Sequence, residues 1–485
     1  MNRDDYPSRI GGAFAVLVLA LFCATARGGD DAEAWPQFRG PNCSGVSAST
    51  RSLPTTFSSE QNVKWSVALG DGIASPVIAR GRVYTTAMRG EQKFAVFCFD
   101  AATGKQHWSR ELDTGPLPPI TPPNSHAGST PVADGERVYV YFSTIGLVAF
   151  DAAGEQLWRR SLPLPEYLMQ WGAASSPIVV GDLVIFNMDD DLNPYLIAVD
   201  KLSGQVRWRT PRPEMLGGYA VPVLWRADGR DELVVAGTGK LKGYDPKTGK
   251  ELWTCNTLLR TIMTTPAVSD DAIYVSVQSY GDTDRVLKYA LLQWKDTNQD
   301  GKLVKGEVAE AFWEKFDYGD LDGDGALVDA EIDRAFQAPG NMVGGGSIIQ
   351  AIRPGGTGDV TQTHLTWELT NRAPSNIASP LLLNGRLFVV KKGGISSCFD
   401  AKTGAPLWYL KRIRNLGNYY ASPVAGDGKI YVTGENGFVV VLADAAEFKI
   451  LAKNDLGESC VATPAIADGR LFFRTRGKLY CIGDS

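Results

Sequence analysis

The chain of 485 residues contains very little histidine, only His107, His126 and His364. Three histidines offer few ligands for a histidine-ligated transition-metal centre and few groups for a histidine-based catalytic relay. Beyond the N-terminal segment, no stretch approaches the roughly 18 apolar residues of a membrane-spanning helix. The net charge is only −5, which does not suggest nucleic-acid binding through phosphate neutralisation. The sequence thus favours none of these three classes of protein.

The small negative charge comes from one segment. Residues 282–333 contain 14 acidic and 6 basic side chains, a balance of −8, so the rest of the chain sums to +3. The overall composition, with 44% hydrophobic and 21% charged residues, is that of a soluble globular protein. The acidic segment therefore needs an explanation of its own.

The N-terminus has the features of a secretory signal peptide. Arg3 and Arg9 precede an apolar run from Ala13 to Ala24, and Ala24-Thr25-Ala26 supplies small residues for cleavage. We expect cleavage after Ala26 and export of the mature chain to the periplasm or the exterior. A retained N-terminal anchor is the alternative.

An internal repeat is the strongest pattern in the sequence. A Ser/Thr-Pro-apolar element occurs seven times, and Val221-Pro222-Val223 is a weaker eighth copy. The seven clear copies begin at Ser75, Thr130, Ser176, Thr265, Ser379, Ser422 and Thr463. The prolines of all eight copies lie 41 to 55 residues apart, except for one interval of 114. This period is typical of a four-stranded propeller blade, and the pattern predicts eight blades.

Each repeat contains an apolar hairpin, then a third strand ending in aspartate, a glycine turn and a fourth strand with tryptophan. Asp200-KLSGQVR-Trp208 and Asp400-AKTGAPL-Trp408 are clear examples. Tryptophan fills this position at 65, 108, 158, 208, 253, 367 and 408, and Leu451 replaces it once. We expect these indoles to pack between neighbouring blades.

Three cysteines share one position of the repeat. Cys98, Cys398 and Cys481 stand where sister repeats have alanine or glycine, which indicates a small core position rather than a disulfide. Export would place the chain in an oxidising compartment. The pairing of Cys43, Cys255 and Cys460 therefore stays open.

The ends of the repeat series complement each other. The last unit stops after its third strand, Lys478 to Ile482, and a matching fourth strand, Asn62 to Ala68, occurs at the front. Pairing the two would close the ring and remove exposed sheet edges. The sequence therefore predicts an all-β protein, an eight-bladed β-propeller with a small α-helical insertion in the fifth blade.

The repeat resembles the PQQ-like (quinoprotein-type) β-propeller repeat of the BamB-like superfamily. The resemblance rests on the third-strand Asp, the Thr-Gly turn and the fourth-strand Trp, and the opening Trp35-PQFRGPNCSG-Val46 is similar to the start of exported members. The superfamily includes PQQ-dependent alcohol and sugar dehydrogenases. It also includes cofactor-free propellers, such as BamB, that bind other proteins. The resemblance implies the fold and leaves these two classes of function open.

The resemblance implies features for a quinone enzyme that this sequence lacks. The alcohol dehydrogenases carry adjacent cysteines, whereas no Cys-Cys pair occurs here. Their catalytic Asp and calcium-binding Glu and Asn find no matching motif. We therefore assign no catalytic residue and interpret the chain as an exported binding or scaffold protein of the cell envelope, with protein partners or a small ligand. The alternative is an alcohol or sugar dehydrogenase with PQQ as cofactor.

The 114-residue interval contains two 12-residue loops that match the EF-hand calcium-binding pattern. Carboxylates at positions 1, 3 and 5 can wrap a hard cation, glycine at position 6 permits the turn, and glutamate at position 12 closes the shell. In Asp296-TNQDGKLVKG-Glu307 the predicted ligands are Asp296, Asn298, Asp300, the carbonyl of Lys302, and Glu307. In Asp320-LDGDGALVDA-Glu331 they are Asp320, Asp322, Asp324, the carbonyl of Ala326, and Glu331. We predict Ca²⁺ as the bound ion.

Several features of the two loops differ from the usual pattern. Valine at position 9 cannot hold the usual water, and the loops start only 24 residues apart. One helix, with an apolar stripe at Val308, Ala311, Phe312 and Phe316, would then serve both loops, which puts ordinary face-to-face pairing in doubt. The second loop has more carboxylates and should bind more tightly. We expect a structural ion, with a regulatory role left open.

The expected organisation has five parts. They are a signal peptide (1–26), an N-terminal extension (27–61), the first part of the propeller (62–280), the calcium-binding insert (281–345) and the second part of the propeller (346–485).

Residues just before each Ser/Thr-Pro element lead into the innermost strands and should lie at a mouth of the central channel. Polar and aromatic side chains that converge on a concavity suit a ligand site. The candidates are His126, Trp171, Tyr219, Asn376 and Tyr419. His126 is the first choice, because it follows a long proline-rich stretch. Alternatively, these side chains merely plug the channel or cap strands.

Overall fold

A computed structural model describes residues 33–227, 229–257, 263–278, 291–292, 295–336, 347–353, 355–370, 377–391 and 393–484. The predicted signal peptide and Asn376 lie outside these residues. No helix in the described part is long and apolar enough to cross a membrane.

Four blades of antiparallel strands form the first half of the repeat series. Strand β1 (Val63–Ala68) precedes them. Blade 1 contains β2 (Val77–Ala79), β3 (Arg82–Arg89), β4 (Lys93–Asp100) and β5 (Gln106–Asp113). Blade 2 contains β6 (Val132–Ala133), β7 (Arg137–Phe142), β8 (Gly146–Asp151) and β9 (Gln156–Arg160). Blade 3 contains β10 (Ile178–Val180), β11 (Leu183–Met188), β12 (Tyr195–Asp200) and β13 (Val206–Pro211). Blade 4 contains β14 (Val223–Ala227), β15 (Arg230–Gly237), β16 (Lys240–Tyr244) and β17 (Glu251–Asn256).

Blade 5 is interrupted after its second strand. It begins with β18 (Ala267–Val268) and β19 (Ile273–Gln278). Next come β20 (Leu303–Val304), 3₁₀ turns at Lys305–Glu307 and Glu310–Phe312, α1 (Trp313–Gly319), β21 (Ala326–Leu327) and α2 (Asp329–Phe336). The blade resumes with β22 (Ser347–Ile352), followed by β23 (Gly358–Asp359), α3 (Thr361–His364) and β24 (Leu365–Thr370). Strand β23 pairs in parallel with β17, so blade 4 has a fifth strand.

Three further blades complete the series. Blade 6 contains β25 (Leu381–Leu383), β26 (Arg386–Lys391), β27 (Ile395–Asp400) and β28 (Pro406–Arg412). Blade 7 contains β29 (Val424–Gly426), β30 (Lys429–Thr433), β31 (Phe438–Ala443) and β32 (Ile450–Asp455). Blade 8 contains β33 (Ala465–Ala467), β34 (Arg470–Arg474) and β35 (Lys478–Gly483), with β1 as its fourth strand.

The ring closes as the sequence predicts. Strand β1 pairs antiparallel with β35, and Trp65 lies opposite Cys481 in this ladder. The prediction of an all-β, eight-bladed propeller is therefore confirmed. Closure leaves the last sheet without an open outer edge on β35.

The Ser/Thr of the repeat links neighbouring blades around the channel at six junctions. A backbone N–H before one proline donates to the hydroxyl that precedes the next proline, at 2.9–3.1 Å. These links run from Ser75 to Thr130, Thr130 to Ser176, Val221 to Thr265, Thr265 to Ser379, Ser379 to Ser422 and Ser422 to Thr463. The hydroxyl thus contributes a hydrogen bond between neighbouring blades, which explains its recurrence.

The repeated tryptophans pack as expected, and five of the seven lie against the turn of the next blade. Five indole N–H groups donate to a turn carbonyl at 3.0–3.1 Å; they belong to Trp65, Trp108, Trp158, Trp208 and Trp367. The turn glycine lies under the ring, and a Cβ added to Gly204 would stand 2.6 Å from Trp158. Trp253 and Trp408 differ, since Trp253 bonds Glu232 and Trp408 contacts Phe448.

The strand register explains why one position of each third strand is occupied by a small residue. Cys98 lies opposite Trp108, and Gly243 lies opposite Trp253. A Cβ on Gly243 would approach the Trp253 ring to 2.2 Å. In blade 7 the register places Ala452, not Leu451, at the tryptophan position. Our assignment of Leu451 was therefore wrong, because the spacing from Asp444 to Ala452 equals the eight residues from Asp200 to Trp208, and Leu451 lies at the β-bulge.

All six cysteines of the described part are free and buried, so it contains no disulfide. They are Cys43, Cys98, Cys255, Cys398, Cys460 and Cys481.

Two expectations for the interval between β19 and β22 were wrong. The helix α1 begins at Trp313 rather than near Val308, and Ala311 is exposed while Phe312 and Phe316 are buried. The two loops also pair after all, because β20 and β21 form a two-residue antiparallel ladder. Such a ladder needs only extended backbone at the ends of the loops, so the short spacing does not prevent it.

Candidate functional site

The two 12-residue loops in the interruption of blade 5 have matching backbone hydrogen bonds. In the first, Gly301 N donates to Asp296 Oδ2 at 2.8 Å; in the second, Gly325 N donates to Asp320 Oδ2 at 3.1 Å. The two glycines have φ values of 80° and 79°, in the left-handed region that favours glycine. The turn at position 6 therefore folds each chain back around the first carboxylate.

The glutamate at position 12 of each loop is held in the same way. Glu307 accepts N–H bonds from Thr297 at 2.7 Å and Val304 at 3.0 Å. Glu331 accepts them from Leu321 at 2.9 Å and Val328 at 3.1 Å. In the second loop, the hydrogen bond from the backbone N–H of Leu321 is the main reason why the pKa of Glu331 is lowered. That carboxylate stays ionised, as a cation ligand must.

The side chains of the second loop converge on one point. Oxygen atoms of Asp320, Asp322 and Asp324 all lie within 4.8 Å of one another. Ca²⁺ takes oxygen ligands at about 2.3–2.6 Å, so two ligands on opposite sides of one ion are separated by about 5 Å. The carboxylates therefore fit a hard divalent cation.

The first loop is less favourable for a cation. Asn298 stands at position 3, and its amide Nδ2 donates to Asp300 Oδ2 at 2.9 Å. The carboxylate at position 3 is thus replaced by a neutral amide, and this amide already occupies one oxygen of the Asp300 carboxylate. The Asn298 carbonyl oxygen can still serve as a ligand, with Asp296 and Glu307 on either side of the loop. The predicted ligands of this loop include three side-chain carboxylates, one fewer than those of the second.

A compact apolar cluster supports both loops and includes a residue of the propeller. Leu303 and Leu327, at position 8 of the loops, are fully buried with Phe312 and Phe316 of the helical segment. Leu168, from the connection between β9 and β10, is 3% exposed and belongs to the same cluster. The loops therefore pack on the propeller rather than standing apart from it.

His126 lines a cleft of ≈ 80 Å³ beside this contact. Most of the lining residues come from the connections that precede β6 and β10, among them Glu166, Tyr167 and Gln170. Ser143 of the β7–β8 turn and Ala309 of the helical segment complete the lining. Partial burial lowers the pKa of His126, and the charge of Asp71 opposes that shift. The imidazole therefore favours its neutral form in the cleft.

Glu166 is the acidic group of the cleft and was missed from the sequence. Burial, and next the charge of Asp190, raise the pKa of this carboxyl. Tyr167 stacks on Tyr219 at a centroid distance of 5.1 Å. The only sequence signal was the length and proline content of the stretch 161–177, which does not reveal which side chain faces the cleft.

The remaining candidates for the channel mouth divide into two groups. Trp171 and Tyr219 come together, with ring centroids 6.2 Å apart, beside Tyr167. Tyr419 is 2% exposed and packs in the apolar cluster of blades 6 and 7. It therefore acts as a core residue. Asn376 lies outside the described residues. The aromatic grouping near His126 is the part that resembles a binding surface.

Comparisons with known proteins agree on the fold. A sequence model of the family described as outer membrane protein assembly factor BamB matches residues 51–126 and 122–317, together more than half of the chain. No curated protein matches the chain in sequence.

Solved structures with a similar fold have low sequence identity. BamB from Moraxella catarrhalis is 16% identical, with a TM-score of 0.54 over 87% of this chain and 97% of that one. The quinohemoprotein alcohol dehydrogenase of Comamonas testosteroni is 12% identical, with a TM-score of 0.52 over 93% and 81%. The computationally designed Ika8 protein is 12% identical, with a TM-score of 0.54 over 86% and 98%. At such identities the likeness concerns the fold alone.

Proposed function

Because this chain belongs to the family described as outer membrane protein assembly factor BamB, we propose that it is an exported, calcium-binding propeller that binds protein partners in the cell envelope. In this proposal the ring of blades is a rigid scaffold and the loops on its surface make the contacts. Residues 1–26 are a signal peptide, and residues 281–345 are a calcium-binding insert of the EF-hand type.

The convergence of Asp320, Asp322 and Asp324 is the observation that supports calcium most directly. The matched hydrogen bonds of Glu307 and Glu331 add a second support, because both loops hold the glutamate at position 12 in the same way. When bound, the ion would neutralise carboxylates that otherwise repel one another. We propose a structural role, in which Ca²⁺ stabilises the insert against the propeller.

A quinone cofactor does not fit the cleft beside His126. PQQ is a tricyclic tricarboxylate, whereas the cleft measures ≈ 80 Å³ and holds Glu166. No lysine or arginine lines this cleft among the described residues, so nothing there offsets three negative charges. We therefore derive no oxidation step. Dye-linked oxidation of an alcohol by the chain after loading with Ca²⁺ and PQQ would contradict this view.

Affinity capture in the source organism tests the proposed function. A tagged chain is cross-linked in intact cells, purified from the envelope fraction, and compared with an exported tag-only control by mass spectrometry. We expect specific enrichment of envelope proteins, among them components that handle outer-membrane proteins. Recovery of only the control set would overturn the proposal.

A further inference from the structure

The innermost strand of each blade has one edge that its own sheet does not pair. In a two-residue hairpin, the two residues that flank the turn are hydrogen-bonded to each other. The next residue along each strand directs its N–H and C=O away from the partner strand, towards the open edge; we call this the outward position. In blade 1 the outward residue is Ile78, whose N–H and C=O bond Trp35 at 2.8 Å each. The edge that faces the channel is therefore paired by a residue from the N-terminal extension.

Residues 35–47 repeat this contact on three other blades. Ala133 N donates to Pro36 O at 2.8 Å in blade 2. In blade 4, the Asn42 side-chain amide replaces a backbone, accepting from Leu224 N at 2.8 Å and donating to Leu224 O at 2.6 Å. In blade 7, Ala425 N donates to Gly45 O at 2.7 Å, and Ser47 N donates to Ala425 O at 2.8 Å.

Blades 3, 5, 6 and 8 have the same outward position without such a partner in the described part of the chain, and those of blades 3 and 5 border one cavity. By register, Val179 of β10 and Val268 of β18 correspond to Ile78. Both are partly exposed, and within the described part of the chain nothing bonds their outward N–H and C=O groups. Unpaired strand edges are templates for added strands.

The open edges of blades 3 and 5 line one cavity of ≈ 400 Å³. Gln37 and Asn42 of the N-terminal extension form one side of it, and Trp225 lies between the two edges. The volume falls in the usual range for ligand sites, about 300–1,000 Å³. All three residues of β10 line the cavity, whereas Val268 is the only residue of β18 that does. Strand β10 therefore exposes a longer stretch of strand edge to the cavity than β18.

We propose that this cavity binds an extended segment of a partner protein, which adds a strand to β10 through main-chain hydrogen bonds with Val179. The occupant is a polypeptide because the site continues the interface that residues 35–47 already make with four equivalent edges. Three paired residues span about 10 Å at roughly 3.3 Å each. The inference rests on the proposed protein-binding function and adds the mode of recognition, which is strand addition.

The test uses a displayed library of unbiased 12-residue peptides, selected on the mature chain. Enriched peptides are then titrated against the unaltered protein, Val179→Pro and Leu382→Pro. Proline removes the outward N–H but is tolerated at an edge position that donates nothing to its own sheet. Leu382 occupies the corresponding position in blade 6, outside the cavity, and is the matched control.

We expect V179P to bind the selected peptides about tenfold more weakly, from the lost hydrogen bond and the carbonyl it leaves unpaired. L382P should bind them as the unaltered protein does. In the unaltered protein, saturating peptide should slow hydrogen exchange in the fragment that contains Val179, a readout that does not depend on how well V179P folds.

Failure of the inference can be told apart from failure of the proposed function. If no peptide is enriched, or if V179P binds as tightly and exchange at Val179 is unchanged, strand addition at β10 is wrong. Envelope partners captured equally by V179P and the unaltered chain would then leave the scaffold function intact. If the unaltered chain captures no envelope partner, the proposed function itself fails.

Discussion

Leu303 and Leu327 lie opposite each other in the two-residue ladder that joins the two acidic loops, and both side chains are fully buried. Each leucine anchors its loop to the same apolar cluster. Ordering of one loop by a cation should therefore favour the ordered form of the other. The two proposed calcium sites form one unit in this respect.

Replacing Glu331 by glutamine should weaken binding at the second loop. The change removes one of four side-chain carboxylates and the group that closes the shell. We expect the dissociation constant for Ca²⁺ at that site to rise about tenfold or more. Isothermal titration calorimetry of the purified chain measures this change directly.

Two matched variants accompany E331Q. Glu307→Gln should affect the weaker first site, and Glu314→Gln, on the exposed side of α1, should change neither site. Equal loss in E331Q and E314Q would mean that the effect comes from general negative charge rather than from ligation.

Shortening Leu168 to alanine should loosen the insert from the propeller. Removal of a buried leucine side chain costs about 2–5 kcal/mol. We expect faster hydrogen exchange in α1 and α2 and weaker binding of Ca²⁺. Leu164→Ala is the control, since Leu164 on the same connection is 42% exposed. Unchanged exchange in L168A would show that the insert is ordered without the propeller.

Gly204→Ala should destabilise the contact between blades 2 and 3. Its φ is 67°, and an added Cβ would stand 2.6 Å from Trp158. Gly181→Ala isolates the backbone effect, because Gly181 has a φ of 59° and nothing within 4 Å. We expect G204A to lose about 1–3 kcal/mol more stability than G181A. Equal urea midpoints for the two variants would contradict the packing argument.

Asp200 should make the propeller sensitive to acid. Hydrogen bonds from Arg207, and then from Ser203, lower the pKa of this carboxyl below its ordinary 3.8. Its stabilising effect is full above the unfolded pKa and is lost as pH falls through the lower, folded pKa. Between about pH 4 and pH 2, melting temperature should therefore fall more steeply in the unaltered protein than in Asp200→Asn. Parallel curves would rule out this contribution.

Repeated local chemistry is the part of the fold that the sequence predicts well. The Ser/Thr-Pro element and the Asp-to-Trp stretch recur with a constant period because every blade meets the same neighbours, through links such as Ser75 to Thr130. The missing fourth strand at Ile482 and the extra one at Val63 predict closure by simple counting. The acidic loops are predictable for a similar reason, since their ligands lie within 12 consecutive residues.

Contacts between distant segments were decided only by the tertiary structure. The burial of Leu168 in the insert, the cleft shared by His126 and Glu166, and the contacts of residues 35–47 with four blades join parts of the chain that have no common pattern. A main-chain edge carries no side-chain signal, so the open positions at Val179 and Val268 could not be found from residue types. The sequence alone determined the ring and its local turns, because those interactions are short-range or periodic. The surfaces available to partners depend on how the ring brings remote segments together.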